Sequence, residues 1–182
     1  MVNTDFDPFQ DRVARDIRNS LSTAFLAALK GRHTAPFEAA GRHLLQQEIA
    51  QGKRLYILDR LGRYRKCFTD IQQKKIKTVL EQAFILWDEG LFFEVHEILE
   101  GLWIEAEGRQ KSALQGLIRA AGFYILMESG RRQGAEKMAA RAVQALQTDL
   151  TALPYFPSPA LLLAKLRDLD PVPPKLLICN PS

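Results

Sequence analysis

With 182 residues, 47% of them apolar, and a formal net charge of +4, the chain can bury a sizeable core, and no apolar run approaches the roughly 20 residues of a spanning helix. The longest such run near the start, Leu21 to Leu29, follows charged, amphipathic sequence. No signal peptide is read there, so a cytoplasmic protein without membrane attachment is expected. Cys67 and Cys179 lie far apart without CxxC spacing, which argues against a zinc ribbon and suits reduced thiols.

In chain order, Val13, Ile17, Leu21, Phe25 and Leu29 recur every fourth residue and predict a first helix stopping near Gly31. Pro36 opens a second, with Phe37, Ala40, Leu44, Leu45 and Ile49 inward, ending by Gly52. The next segment, RLYILDRLGRYRKC, holds a short apolar run and reads as a loop or a brief strand pair. Nine Lys or Arg stand between Lys53 and Lys77 against Asp59 and Asp70, interleaved with Tyr56, Tyr64 and Phe68. Cations mixed with aromatics suit a phosphate-binding surface, with Arg60, Arg63, Arg65 and Lys66 as candidate nucleic-acid contacts. A solvated connector has the same composition and is the commoner explanation.

From Asp70 the helical signal strengthens. Ile76, Val79, Leu80, Ala83, Phe84 and Trp87 keep the i, i+3, i+4, i+7 spacing up to Gly90. Helices follow at about 91–107, 112–128 and 133–152, punctuated by Gly108 and Gly130. Ser158 and Pro159 form an N-cap and first-turn pair for a last helix through Leu169. The tail PVPPKLLICNPS cannot start as a helix and is expected to lie extended over a neighbour. The glycine-turn-helix pattern around Gly90 returns around Gly130, two copies of a helical hairpin and too few for a solenoid. The expectation is an all-α fold: a multihelical bundle of antiparallel hairpins over 70–170, an N-terminal helical extension with the basic connector over 1–69, and a Pro-rich tail over 171–182.

The run EVHEILEGLW raises the chemical question. On a helical wheel, Phe92, Val95, Leu99, Leu102, Trp103 and Ala106 centre the apolar arc. Glu94 and Glu105 fall opposite, Glu97 lies at the margin, and His96 and Glu100 fall inside the arc beside Trp103. At i, i+4 the last two are neighbours on one face, and a buried carboxylate there must be paired, protonated or coordinating. Gln115, Arg119, Gly122 and Leu126 form a stripe on a later helix. Gly122 would admit a close backbone, and Gln115 and Arg119 would then reach His96 and Glu100. The glycines inside helices, Gly101, Gly116 and Gly122, cost about 1 kcal/mol each in helix propensity, which close packing is expected to offset.

These residues carry a resemblance. The segments GLFFEVHEILEGLW, ALQGLIRAAGFYILMESG and GAEKMAARAV, between about Asp70 and Leu169, resemble the small helical family known as domain of unknown function 309. Its pattern H-E-x-x-E-x-x-W, then Q-G-L-I, then G-A, is met by His96, Glu97, Glu100, Trp103, Gln115, Gly116, Leu117, Ile118, Gly134 and Ala135. Arg119 departs from it, standing where the family is associated with a glutamine. The resemblance implies a compact helical bundle and no particular activity, and it does not reach the first seventy residues.

The chemistry then divides three ways. An HExxH zinc site needs a second histidine where Glu100 stands, and His33 and His43 lie on the N-terminal extension. No metal or other cofactor is favoured, with His96 and Glu100 the candidate ligands for a divalent ion. Acid or base work by His96 and Glu100, with Glu97 as a further candidate, would make a hydrolase. GxSxG, Walker A and GxGxxG motifs are absent. The favoured reading is a non-catalytic helical binding module with a buried polar cluster of His96, Glu100, Gln115 and Arg119 backed by Trp103. Trp103, Gln115 and Arg119 are its candidate ligand contacts. A homo-oligomer through the apolar helices and tail is the expected partner, and nucleic acid through residues 53–77 is the third reading.

Overall fold

The computed structural model describes residues 6–149, 152–154, 156 and 159–177. Among them every regular element is a helix, eight in all, as the all-α expectation requires. The chain forms two compact units, Met1–Lys75 and Ile76–Ser182.

The first unit holds α1 (Arg12–Gly31), α2 (Ala35–Leu45) and α3 (Gln51–Gln73). Asp11 caps α1 by accepting from the backbone N–H groups of Val13 at 2.8 Å and Ala14 at 3.3 Å, which satisfies two donors the helix leaves unpaired. The same carboxylate meets Lys53 Nζ at 2.5 Å. Further along, Phe25 stacks on Tyr64 at 4.1 Å, and Phe37 of α2 packs edge-on against both rings. These contacts place α3 alongside α1 and running the same way, with α2 closing the core.

The segment expected as a loop or strand pair is therefore helical. Ile57, Leu61, Tyr64, Cys67 and Ile71 supply a buried stripe at helical spacing, and the run Leu55 to Leu58 resembles a strand only because Leu55 and Leu58 are apolar on the exposed side. The second predicted helix likewise ends at Leu45, and Gly52 sits in the first turn of α3.

The second unit holds α4 (Val79–Asp88), α5 (Phe92–Glu105), α6 (Gly108–Glu128), α7 (Arg132–Asp149) and α8 (Pro159–Arg167). Thr78 caps α4, its Oγ1 accepting from the Glu81 N–H at 3.2 Å and donating to the Glu81 carboxylate. The repeated glycine pattern has an identical backbone basis. Gly90, at φ 70°, and Gly130, at φ 69°, end α4 and α6 in the left-handed region. Each is followed by the same two bonds: Gly90 N–H to Trp87 O with Leu91 N–H to Leu86 O, and Gly130 N–H to Met127 O with Arg131 N–H to Leu126 O. This is the Schellman ending, which favours glycine at the position after the cap.

The core gathers Trp87, Phe92, Phe123 and Tyr124 in edge and stacked contacts. Alongside it, α6 and α7 meet through small residues. A Cβ on Gly116 would lie 2.7 Å from Leu146 Cγ, and one on Gly122 would lie 3.3 Å from Met138 Cγ. Leu162, Leu163 and Leu166 bury one side of α8. The Ser158 cap falls outside the described residues.

The tail lies without helix against α4. Trp87 Nε1 donates to Pro174 O at 2.9 Å, and the Asp88 carboxylate accepts from the N–H groups of Leu176 at 2.7 Å and Leu177 at 3.0 Å. Lys175 Nζ donates to the Asp88 carbonyl. Burial pushes the Asp88 carboxyl above its ordinary range, although the two N–H donors and Lys175 pull it down.

Candidate functional site

Helix α5 packs between α4 and α6, and this fixes which residues face out. Phe92, Glu94, Val95 and Leu99 are buried. The outer seam runs through Glu97, Glu100, Gly101, Ile104 and Glu105. Two wheel assignments are corrected. Glu94, placed opposite the apolar arc, is fully buried. It sits in the first turn of α5, where free N–H groups and the positive end of the helix dipole favour a carboxylate. Glu100, placed inside the arc, is exposed. Spacing sets it beside Trp103, but Trp103 is itself only half-buried and the neighbouring Ile104 is 70% exposed.

His96 is half-buried and its Nδ1 lies 3.2 Å from Glu97 Oε1, so its polar neighbour is the adjacent residue in sequence. His96, Glu97 and Glu100 can still each bring one ligand atom to within 4.8 Å of the others. Among the described residues no other trio of His, Cys, Asp or Glu comes together so closely.

The expected partners point elsewhere. Arg119 donates to the Arg141 carbonyl of α7 at 3.4 Å, and Gly122 of the same stripe faces Met138 of α7. Gln115, one turn before Arg119, shares that side. The stripe flanks the apolar face of α6 as expected, but on the α7 edge, while α5 lies against the other. The four-residue knot of His96, Glu100, Gln115 and Arg119 is not formed.

Trp103 is half-buried, with Lys111 Nζ over its ring at 4.6 Å from the centroid, within the range of a cation–π contact. Its indole N–H is enclosed without a hydrogen-bond partner among the described residues. Lys111 was not anticipated, since it is separated from Trp103 by the break between α5 and α6. Close by, Thr78, Val79, Leu80, Leu102, Gln110, Leu114, Leu153 and Pro154 line a largely apolar pocket of about 220 Å³.

Residues 80–138 match the model of a family described as Domain of unknown function (DUF309). This segment is a DUF309 domain. No curated protein and no solved structure matches the chain. The matched segment spans the His96 to Trp103 run, the Gln115 to Ile118 run and Gly134–Ala135, all three parts of the pattern. The DUF309 segment thus comprises α4, α5, α6 and the start of α7, and the first unit lies outside it.

The basic candidates belong to that first unit. The Arg60 guanidinium is buried over the Tyr56 ring, 5.0 Å from its centroid. Arg63 pairs with Asp59 at 3.0 Å. Arg65 meets Glu38 through two bonds of 2.7 Å, and that pairing holds the Glu38 carboxyl below its ordinary range. Lys66 is exposed. Arg60, Arg63 and Arg65 are thus engaged within the unit. Among the described residues, no helix is long and apolar enough to cross a membrane.

Proposed function

We propose that the DUF309 unit is a helical docking module that takes a partner helix on the outer seam of α5. The observation that carries this reading is Gly101. A glycine inside a helix costs about 1 kcal/mol relative to alanine, and at Gly116 and Gly122 a closely packed α7 accounts for it. At Gly101 a Cβ would meet nothing within 4 Å among the described residues, so no packing within its own unit there offsets the cost. Beside it Ile104 stands 70% exposed, and Glu97, Glu100 and Glu105 ring the pair. A smooth, partly apolar groove with an acidic rim suits a second helix approaching at close range.

The test places a photo-crosslinking amino acid at position 104, with the same group at Val172, 62% exposed, as the control. Protein adducts at 104 that are absent at 172, and that disappear with Gly101→Lys, are expected. Equal labelling at both positions would sink the reading.

A second reading has its own support in the His96, Glu97 and Glu100 trio, which offers one nitrogen and two carboxylates to a divalent ion. Such a site with open coordination positions would give the acid/base or hydrolytic reading a metal. Elemental analysis of untagged protein beside the folded His96→Ala/Glu100→Ala variant decides it. Near-stoichiometric metal lost in the variant supports the site, and no metal in either after exposure to zinc, manganese and iron removes it.

A further inference from the structure

We infer that the helix docking on α5 is α3 of a second copy of this chain. This inference rests on the α5 docking reading and adds its occupant. Among the glycines within helices, Gly62 of α3 shares the property of Gly101, with nothing within 4 Å of an added Cβ. Leu55 and Leu58, two turns and one turn before it, are 51% and 50% exposed. The outer stripe of α3 therefore reads Leu55, Leu58, Gly62, Lys66, the same pattern of apolar residue and bare glycine that α5 presents in Gly101 and Ile104.

Charge distinguishes the two stripes and pairs them. Helix α3 carries six Lys or Arg against two Asp, with Lys66 on its outer stripe, while α5 sets Glu97, Glu100 and Glu105 on its outer seam and has no Lys or Arg. Like helices would repel along these faces, whereas α3 against α5 brings opposite charge to the rims of an apolar, glycine-floored contact. One helix pair is small beside the roughly 1,200 Å² that a stable interface buries. A twofold dimer uses the pair twice, α3 on the partner's α5 and α5 on the partner's α3.

The test uses the full chain with Cys179→Ser. Gly62→Cys and Gly101→Cys chains, carrying tags of different length, are mixed and mildly oxidised. The expected product is a mixed disulfide with one chain of each kind, in excess over either homodimer. Each chain has only one of the two new thiols, so this product cannot arise within a single copy. In sedimentation, Glu100→Lys is expected to weaken self-association about tenfold, raised salt to weaken it further, and Lys66→Glu in the same chain to restore part of the loss. Both positions are exposed, so the fold is retained.

Absence of the mixed disulfide overturns the inference. So does ring closure within a single Gly62→Cys/Gly101→Cys chain without the mixed product, which would make the chain's own α3 the occupant. A wild type that stays monomeric while the crosslinker at 104 captures a different protein also overturns it and leaves the docking reading standing. No adduct at 104 with any protein, this chain included, removes both.

Discussion

Gly101→Ala and Gly116→Ala are the same chemical change on neighbouring helices, and the structure assigns them opposite signs. Replacing an interior helical glycine by alanine contributes about 1 kcal/mol through helix propensity. At Gly101 the new methyl enters open space, so α5 gains nearly all of it. At Gly116 the methyl would lie 2.7 Å from Leu146 Cγ and 3.3 Å from Ala145 Cβ. Leu146 is fully buried and cannot swing aside without repacking the α6–α7 seam. Overpacking of that kind costs about 1–3 kcal/mol, enough to cancel the propensity gain and leave a net loss of about 1 kcal/mol. The two variants should differ by about 2 kcal/mol. Urea unfolding followed by tryptophan fluorescence measures this in the right unit, because Trp87 and Trp103 are the chain's two tryptophans and both belong to the second. A lower midpoint for Gly101→Ala, or a higher one for Gly116→Ala at unchanged m, would refute the reasoning. If α5 docks a helix, Gly101→Ala should also weaken docking as it strengthens the fold, the exchange expected where a residue is retained for contact.

Other outcomes follow from the same geometry. Asp88→Ala leaves the Leu176 and Leu177 N–H groups without their acceptor, so trypsin should cut after Lys175 several-fold faster than in the parent, and an unchanged rate would show that the tail is held by other contacts. Tyr124 is 1% exposed and its hydroxyl has no hydrogen-bond partner among the described residues; Tyr124→Phe should therefore raise stability to urea by about 1 kcal/mol, and a clear loss would count against the assignment. Burial, with a smaller contribution from Asp170, pushes the Tyr124 phenol well above its ordinary range, so in an alkaline titration it should ionise after the other tyrosines. The Glu38 carboxyl is depressed, chiefly by the hydrogen bonds from Arg65, so its contribution is present above the ordinary glutamate range and lost as pH falls through the lowered value. Glu38→Gln should remove that part of the acid-side decline, by less than about 1 kcal/mol because Arg65 is over half exposed. A first unit with an unchanged acid limb would show that the pair adds nothing.

What could be read in the sequence was set by packing within the chain. The spacing Ile17, Leu21, Phe25 gave α1, and Gly90 and Gly130 marked two turns that share one backbone geometry. Helix α3 was obscured because Leu55, Tyr56, Ile57 and Leu58 form an unbroken apolar run, of which Ile57 alone is buried outright. A wheel weighs every apolar residue as inward, so the half-buried Trp103 sets Glu100 inside the arc and Glu94 on the wrong side. The pairing of His96 and Glu100 with Gln115 and Arg119 failed for a different reason. The wheel placed that stripe on a flank of α6, but spacing along one helix does not say which neighbour stands at which flank, and α7 stands there.

The helical glycines show where that limit becomes informative. Each carries a propensity cost that close packing would offset. The sequence cannot distinguish Gly116 and Gly122 from Gly62 and Gly101. The structure can, because α7 fills the space over the first two and nothing in the described chain fills the space over the others. Gly116 and Gly122, like Gly41 against Leu61, are thus explained by packing within this fold, and Gly62 and Gly101 have no such neighbour among the described residues. Those two lie on the most basic and the most acidic of the eight helices, each beside exposed leucine or isoleucine. An apolar residue, a bare backbone and complementary charge are the elements from which a helix–helix interface is made, which is why the proposed contact pairs α3 with α5.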